Sequence, residues 1–173
     1  MMSNFSSWPS FSKQEIDAVG DVLSSNRVNY WTGSECRNFE LEFAQLCNTS
    51  HAVSLANGTL ALDLALKALD IKHGDEVIVT SRTFIASVSS IFNVGAGAVF
   101  ADIDLHSQNI TPESVRNQIT KNTKAIICVH LAGWPCEMDE MIDIADEFDL
   151  YLIEDCSQAH GARYKDKPVG SIG

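Results

Sequence analysis

From residue 51 onward the chain alternates short strand-like runs with longer helix-like runs, and this order constrains its fold more than any other feature. The strand-like runs fall at residues 51–55, 76–80, 98–103, 124–130 and 151–155. Helical runs lie between them at 58–69, at 83–94, from 111 onward and at 138–148. Strands joined through helices cannot pair as hairpins. Each helix returns the chain to the same end of the sheet, so the strands run parallel. Val77-Ile78-Val79 and Ala125-Ile126-Ile127-Cys128-Val129 are apolar at every position rather than every second one, as strands covered on both faces must be. The expected fold class is α/β, a three-layer α/β/α arrangement with a mostly parallel sheet. The 58–69 run carries Leu and Ala on nearly all sides and is expected to be a buried helix. Thr111-Pro112 reads as an N-cap followed by Pro at the first helical position.

Residues 1–50 read differently, as a mainly helical segment. Ser12-Lys13-Gln14-Glu15 has the spacing of a capping box, in which hydroxyl and carboxylate each satisfy an orphan backbone N–H. Ile16, Val19, Val22 and Leu23 share one face of the helix that follows. Residues 27–33 break the pattern as a loop, and a second helix carries Phe39, Leu41, Phe43 and Leu46.

Charge removes several function classes. Twelve Lys and Arg against 23 Asp and Glu give a net charge of −11, which repels nucleic acid and anionic membranes. Apolar stretches such as residues 125–129 are far too short to span a bilayer. Residues 1–4 open neither a basic nor an apolar leader, so no signal peptide is expected. The five cysteines are odd in number and contain no CxxC, which suits reduced thiols in the cytoplasm.

In parallel sheets a ligand sits beyond the carboxyl ends of the strands. Ala56-Asn57-Gly58-Thr59 follows the first strand-like run and opens a helix. Its free N–H groups, the positive end of the helix dipole and the Thr59 hydroxyl could cradle a phosphate. Asn57 could equally be a plain helix cap and Gly58 a turn residue. Phe84, after the second run, could stack on a flat ring or belong to the core. The last run ends Glu154-Asp155, two carboxylates that are costly at a buried strand end unless each has a partner. By alternation one faces the site and the other does not. No metal-ligand spacing surrounds them, and Ser157 with His160 lacks the Gly-x-Ser-x-Gly context of a hydrolase. There is no Walker A sequence, and Gly95-Ala96-Gly97 precedes a strand where a dinucleotide fingerprint must follow one.

The chain resembles the DegT/DnrJ/EryC1/StrS family of pyridoxal-phosphate sugar aminotransferases from about residue 29 to residue 173. The resemblance is carried by Phe39-Glu40, Asn57-Gly58-Thr59-Leu60-Ala61-Leu62, Gly74-Asp75-Glu76-Val77-Ile78, Thr83-Phe84 and Asp102-Ile103-Asp104. It continues through Val129-His130-Leu131-Ala132-Gly133-Trp134-Pro135 and Glu154-Asp155-Cys156-Ser157-Gln158-Ala159-His160-Gly161-Ala162. It implies the large domain of a fold type I transferase that binds pyridoxal 5'-phosphate (PLP). By position it makes Gly58 and Thr59 part of the phosphate cup, Phe84 the stacking residue, Asp155 the partner of the pyridinium nitrogen and Gln158 the partner of the ring hydroxyl. It further implies a homodimer that aminates a nucleotide-linked keto-sugar, with glutamate as amino donor, in amino-sugar synthesis for a surface polysaccharide. Residues 51–173 would be the N-terminal half of that large domain. The family's Schiff-base lysine would lie beyond Gly173, so no catalytic residue is assigned here and this stretch alone is expected to be inactive. Relatives with a His at the lysine position remove a sugar hydroxyl instead, and a degenerate, non-catalytic domain is the remaining alternative.

Overall fold

The structure, a computed structural model, describes residues 9–173. The leader reading at residues 1–4 lies outside the described residues. In order, the helices are α1 (Lys13–Ser24), α2 (Glu35–Cys47), α3 (Gly58–Ala68), α4 (Ala86–Asn93), α5 (Pro112–Arg116) and α6 (Met138–Phe148). The strands are β1 (Glu76–Thr80), β2 (Gly97–Ala101), β3 (Thr123–Val129) and β4 (Tyr151–Asp155), followed by a two-residue hairpin of β5 (Arg163–Tyr164) and β6 (Lys167–Pro168). The main sheet runs β2-β1-β3-β4, and every pairing in it is parallel. The chain steps outward from β1 to β2 and then crosses back over β1 to β3. That reversal leaves a crevice beyond the carboxyl ends of β1 and β3, where open α/β sheets bind ligands.

Strand alternation divides the core into two layers. Val77, Val79, Ala125, Ile127 and Val129 point to one face and pack with Leu66 of α3 and Ile91 of α4. Ile78, Ile126 and Cys128 point to the other and pack with Val115 of α5 and Met138, Met141 and Ile144 of α6. The α/β/α layering expected from the wholly apolar strands is therefore present. The caps also stand as read. Ser12 Oγ accepts from the Glu15 N–H at 3.2 Å while Glu15 Oε2 accepts from the Ser12 N–H at 2.6 Å. Thr111 Oγ1 caps α5 through the Ser114 N–H at 3.1 Å.

Four expectations are corrected. Residues 51–55 do not form a strand: they pair with no neighbour, because β4 lies across an apolar groove of about 540 Å³ between them. A strand needs a partner to take its N–H and C=O groups, and a place in the order of strand-like and helix-like runs cannot supply one. Helix α3 is not buried all round. Leu62 and Leu66 are buried, but Leu60 and Leu64 look outward, since only one stripe of the helix meets the sheet and α4. Helix α4 begins at Ala86 rather than 83, after a turn through Thr83 and Phe84. Strand β2 ends at Ala101, and Ile103 instead makes an isolated bridge to Ile110. The apolar face of α1 is present but exposed at Ile16, Val19 and Leu23.

Because Ile126 is fully buried in the central strand β3, Ile126→Ala is expected to cost about 2–5 kcal/mol in urea unfolding. Leu64→Ala, on the outward stripe of α3, is expected to change stability by no more than about 0.5 kcal/mol.

Candidate functional site

A cavity of about 290 Å³ lies at the carboxyl ends of β1, β3 and β4. Gly58, Thr59, Phe84, Asp155 and Gln158 all line it, although they come from separate segments of the chain.

Helix α3 supplies one wall. Asn57, in an extended conformation, caps it by accepting the Leu60 N–H at 3.0 Å. The capping reading of Asn57 therefore holds, and it does not exclude a cradle. The side chain engages the third helical N–H, while those of Gly58 and Thr59 have no acceptor within the helix. These two donors and the positive helix end suit an anionic group. A Cβ on Gly58 would sit 3.4 Å from Ser157 Oγ, so glycine keeps the gap between α3 and the loop after β4 open. Phe84 is not core: it is 67% exposed and forms the rim of the cavity beyond β1.

The two carboxylates of β4 separate as alternation requires. Asp155 faces the cavity and is 8% exposed. Its Oδ2 accepts from Ser87 Oγ at 2.8 Å, and its Oδ1 accepts from Ser157 Oγ at 2.6 Å and Ser157 N at 3.2 Å. Thr83 Oγ1 lies 2.8 Å from Ser87 Oγ. Ser87 gives its proton to the carboxylate, so Thr83 donates to Ser87. Glu154 turns to the other side, its side chain 3% exposed. It accepts from His130 Nε2 at 3.0 Å, from Gly170 N at 2.9 Å, and from Ile172 N and Gly173 N at 2.7 Å each. Burial pushes the Glu154 carboxyl up, but these four donors outweigh it and hold the group below the ordinary carboxylate range.

His130 is fully buried. Burial disfavours its charged form, while Cys136, Cys156 and Glu154 pull the other way. The backbone decides. The Cys136 N–H donates into Nδ1 at 3.1 Å, and a ring protonated on both nitrogens has no lone pair to receive it. The ring is therefore held as the neutral tautomer with its proton on Nε2. This also bears on metal chemistry. His130, Glu154 and Cys156 bring donor atoms within 4.8 Å of one another, a grouping the sequence did not reveal. Neither ring nitrogen offers a free lone pair there, and the carboxylate already takes four N–H groups, so the cluster acts as a hydrogen-bond hub.

Other candidates fall away from the cavity. The His160 ring packs edge-on against Phe43, with centroids 5.9 Å apart, so Ser157 donates directly to Asp155 with no histidine between them. Lys165 pairs with Asp139 from the β5–β6 hairpin, and no lysine lines the cavity. Sequence reading missed Ser87. Its signal was Ser87 and Ser90, small polar residues three apart on one face of α4 and both buried. Gln158 Oε1 accepts the Ala132 N–H at 2.7 Å. Together the walls offer an anion cradle, an aromatic face, a buried carboxylate and an amide, which suits a flat ring bearing a basic nitrogen and an anionic arm.

Residues 9–173 match the DegT/DnrJ/EryC1/StrS aminotransferase family. The chain is 41% identical over 165 residues to GDP-perosamine synthase of Escherichia coli O157:H7, covering 95% of this chain and 45% of that protein. It is 44% identical over 163 residues to dTDP-3-amino-3,6-dideoxy-alpha-D-galactopyranose transaminase of Aneurinibacillus thermoaerophilus, covering 94% and 44%. The X-ray structure of the aminotransferase from Psychrobacter cryohalolentis superposes with a TM-score of 0.96 at 62% identity, over 98% of this chain and 43% of that one. The chain thus spans less than half the length of the relatives it matches.

The Glu154 hub carries a pH prediction. Its folded-state pKa is depressed, so its contribution to stability is present above the ordinary glutamate range and is lost as pH falls through the folded value. Glu154→Gln leaves backbone donors facing an amide and is expected to cost about 1–3 kcal/mol at pH 7. In urea unfolding repeated at lower pH, the gap between variant and wild type should narrow; a constant gap would contradict the assignment.

Proposed function

The chain belongs to the DegT/DnrJ/EryC1/StrS aminotransferase family, and on that premise we propose that it forms the cofactor-binding part of a PLP-dependent aminotransferase acting on a nucleotide-linked keto-sugar. The observation that carries this reading is the meeting of Gly58, Thr59, Phe84, Asp155 and Gln158 around one cavity at the carboxyl ends of the sheet.

Each wall matches one part of the cofactor. The Gly58 and Thr59 N–H groups and the Thr59 hydroxyl hold the phosphate. Phe84 covers one face of the ring. Asp155 holds a proton at the ring nitrogen, with Ser87 and Ser157 fixing the direction of its oxygens. The NH₂ group of Gln158 donates to the ring oxygen. When bound, PLP supplies the electron sink that lets a bond at the substrate's reacting carbon break. The carboxylate keeps that sink effective by keeping the nitrogen charged. The lysine that carries amine transfer in the family is expected outside residues 9–173, so the described residues bind and orient rather than complete the reaction. Residues 51–173 are accordingly the N-terminal half of the large domain, preceded by a helical segment.

Glutamate as amino donor and a cytoplasmic setting complete the reading. A homodimer is supported by the apolar groups left exposed around α3 and α4, among them Leu60, Ile85 and Phe92. Among the described residues no helix is long and apolar enough to cross a membrane.

Titrating the chain with PLP tests the cavity directly. Saturable binding is expected, weakened about tenfold by Phe84→Ala, the scale of one aromatic stacking contact. Borohydride reduction of the mixture is expected to leave no stoichiometric adduct on a single lysine of this chain. Absence of saturable binding would favour a non-catalytic domain instead.

A further inference from the structure

Asn109 is a buried polar residue with no part in the cavity. It is 4% exposed and sits in the loop between β2 and α5. Its side chain reaches across to the turn that leaves β3. Nδ2 donates to the Trp134 C=O at 2.8 Å, and Oδ1 accepts the Leu131 N–H at 3.2 Å. One carboxamide therefore grips both ends of the single 3-10 turn at Leu131–Gly133. Asn109 is itself held, since its C=O accepts the Asp104 N–H at 3.0 Å.

The gripped turn is a conformation the chain does not adopt freely. Ala132 has φ 52° and ψ 24°, in the left-handed region, and Gly133 has φ 85°. Glycine tolerates this and alanine resists it, so something outside the turn must hold Ala132 there. The outcome is a backbone N–H aimed at Gln158 Oε1, 2.7 Å away. An N–H donor fixes which end of the amide is oxygen. With its oxygen turned to Ala132, Gln158 has its NH₂ group free to offer a ligand.

We propose that Asn109 is a positioning residue for Gln158: by clamping the Leu131–Gly133 turn it aims the Ala132 N–H, and so makes Gln158 a hydrogen-bond donor toward the cavity. The site then selects a ligand with an acceptor oxygen at that position, the deprotonated ring oxygen of a pyridoxal-type cofactor. The ligand half of this inference rests on the proposed function; the clamp itself does not.

The test uses Asn109→Ala, Gln158→Ala and the double variant, with two readouts. In the ligand-free chain, amide hydrogen exchange at Ala132 should speed up at least tenfold in Asn109→Ala, while the Ile126 and Ile127 amides of β3 keep wild-type protection. In PLP titrations, Asn109→Ala should weaken binding about as much as Gln158→Ala. The double variant should be no weaker than Gln158→Ala alone, because Asn109 acts through Gln158. Adding Ala132→Gly, which tolerates the left-handed conformation, should restore much of the affinity lost in Asn109→Ala. Unchanged exchange at Ala132, or losses that multiply in the double variant, would overturn the proposal. If Asn109→Ala fails to fold, Asn109→Asp takes its place: it keeps the acceptor for Leu131 and loses the donor to Trp134, and is held to the same exchange and binding criteria. Should the wild type bind no PLP, the cofactor reading fails, while the exchange experiment still decides the clamp.

Discussion

Two neighbouring carboxylates with buried side chains end strand β4, and the carboxyl end of the sheet is organised around satisfying both. Successive residues of β4 point to opposite faces, so Glu154 and Asp155 cannot share partners. Glu154 draws in His130 from the end of β3 and the backbone of Gly170, Ile172 and Gly173. Asp155 draws in Ser87 from α4 and Ser157 from the loop beyond β4. Leaving either carboxylate unpartnered in such a place would cost several kcal/mol. The same bonds that avoid this cost tie β3, β4, α4 and the chain after β6 into one rigid rim. Asp155 is then held in a fixed direction at the mouth of the crevice, as the proposed pairing with a cationic ring nitrogen requires.

The sheet order supplies the rest of the geometry. Because the chain reverses direction between β2 and β3, α4 departs on one side of the sheet and α6 on the other. The crevice at the strand ends receives Phe84 from the end of β1, while α3 presents its amino end from the side. An overall charge of −11 does not oppose the proposed anion site, because its attraction would come from local backbone donors and the helix end rather than from the surface.

What the sequence made legible follows from how local each signal is. The limits of Met138–Phe148 and Tyr151–Asp155 were readable because helical periodicity and an apolar run ending in charge are complete within the segment. The five proposed cofactor residues were readable from a family resemblance, and the fold brings them to one cavity. Residues 51–55 misled because a short run that precedes a helix in an alternating series of elements reads as a strand, while a strand also depends on a neighbour that the groove beside β4 does not provide. The outward stripe of α3 misled for the same reason: Leu60 and Leu64 are apolar toward nothing within the described residues. Ser87 and Asn109 were missed because each matters only through a partner far away in sequence, Asp155 and the Leu131–Gly133 turn.

The assignment of Asp155 as partner of a ring nitrogen is open to direct measurement by ¹⁵N NMR of ring-labelled PLP bound to the chain. A pyridinium resonance that persists through neutral pH in the wild type, and reverts to that of unprotonated pyridine in Asp155→Ala, is the predicted result. The same protonation state in both proteins, or a ring nitrogen unprotonated in the wild type, would contradict it.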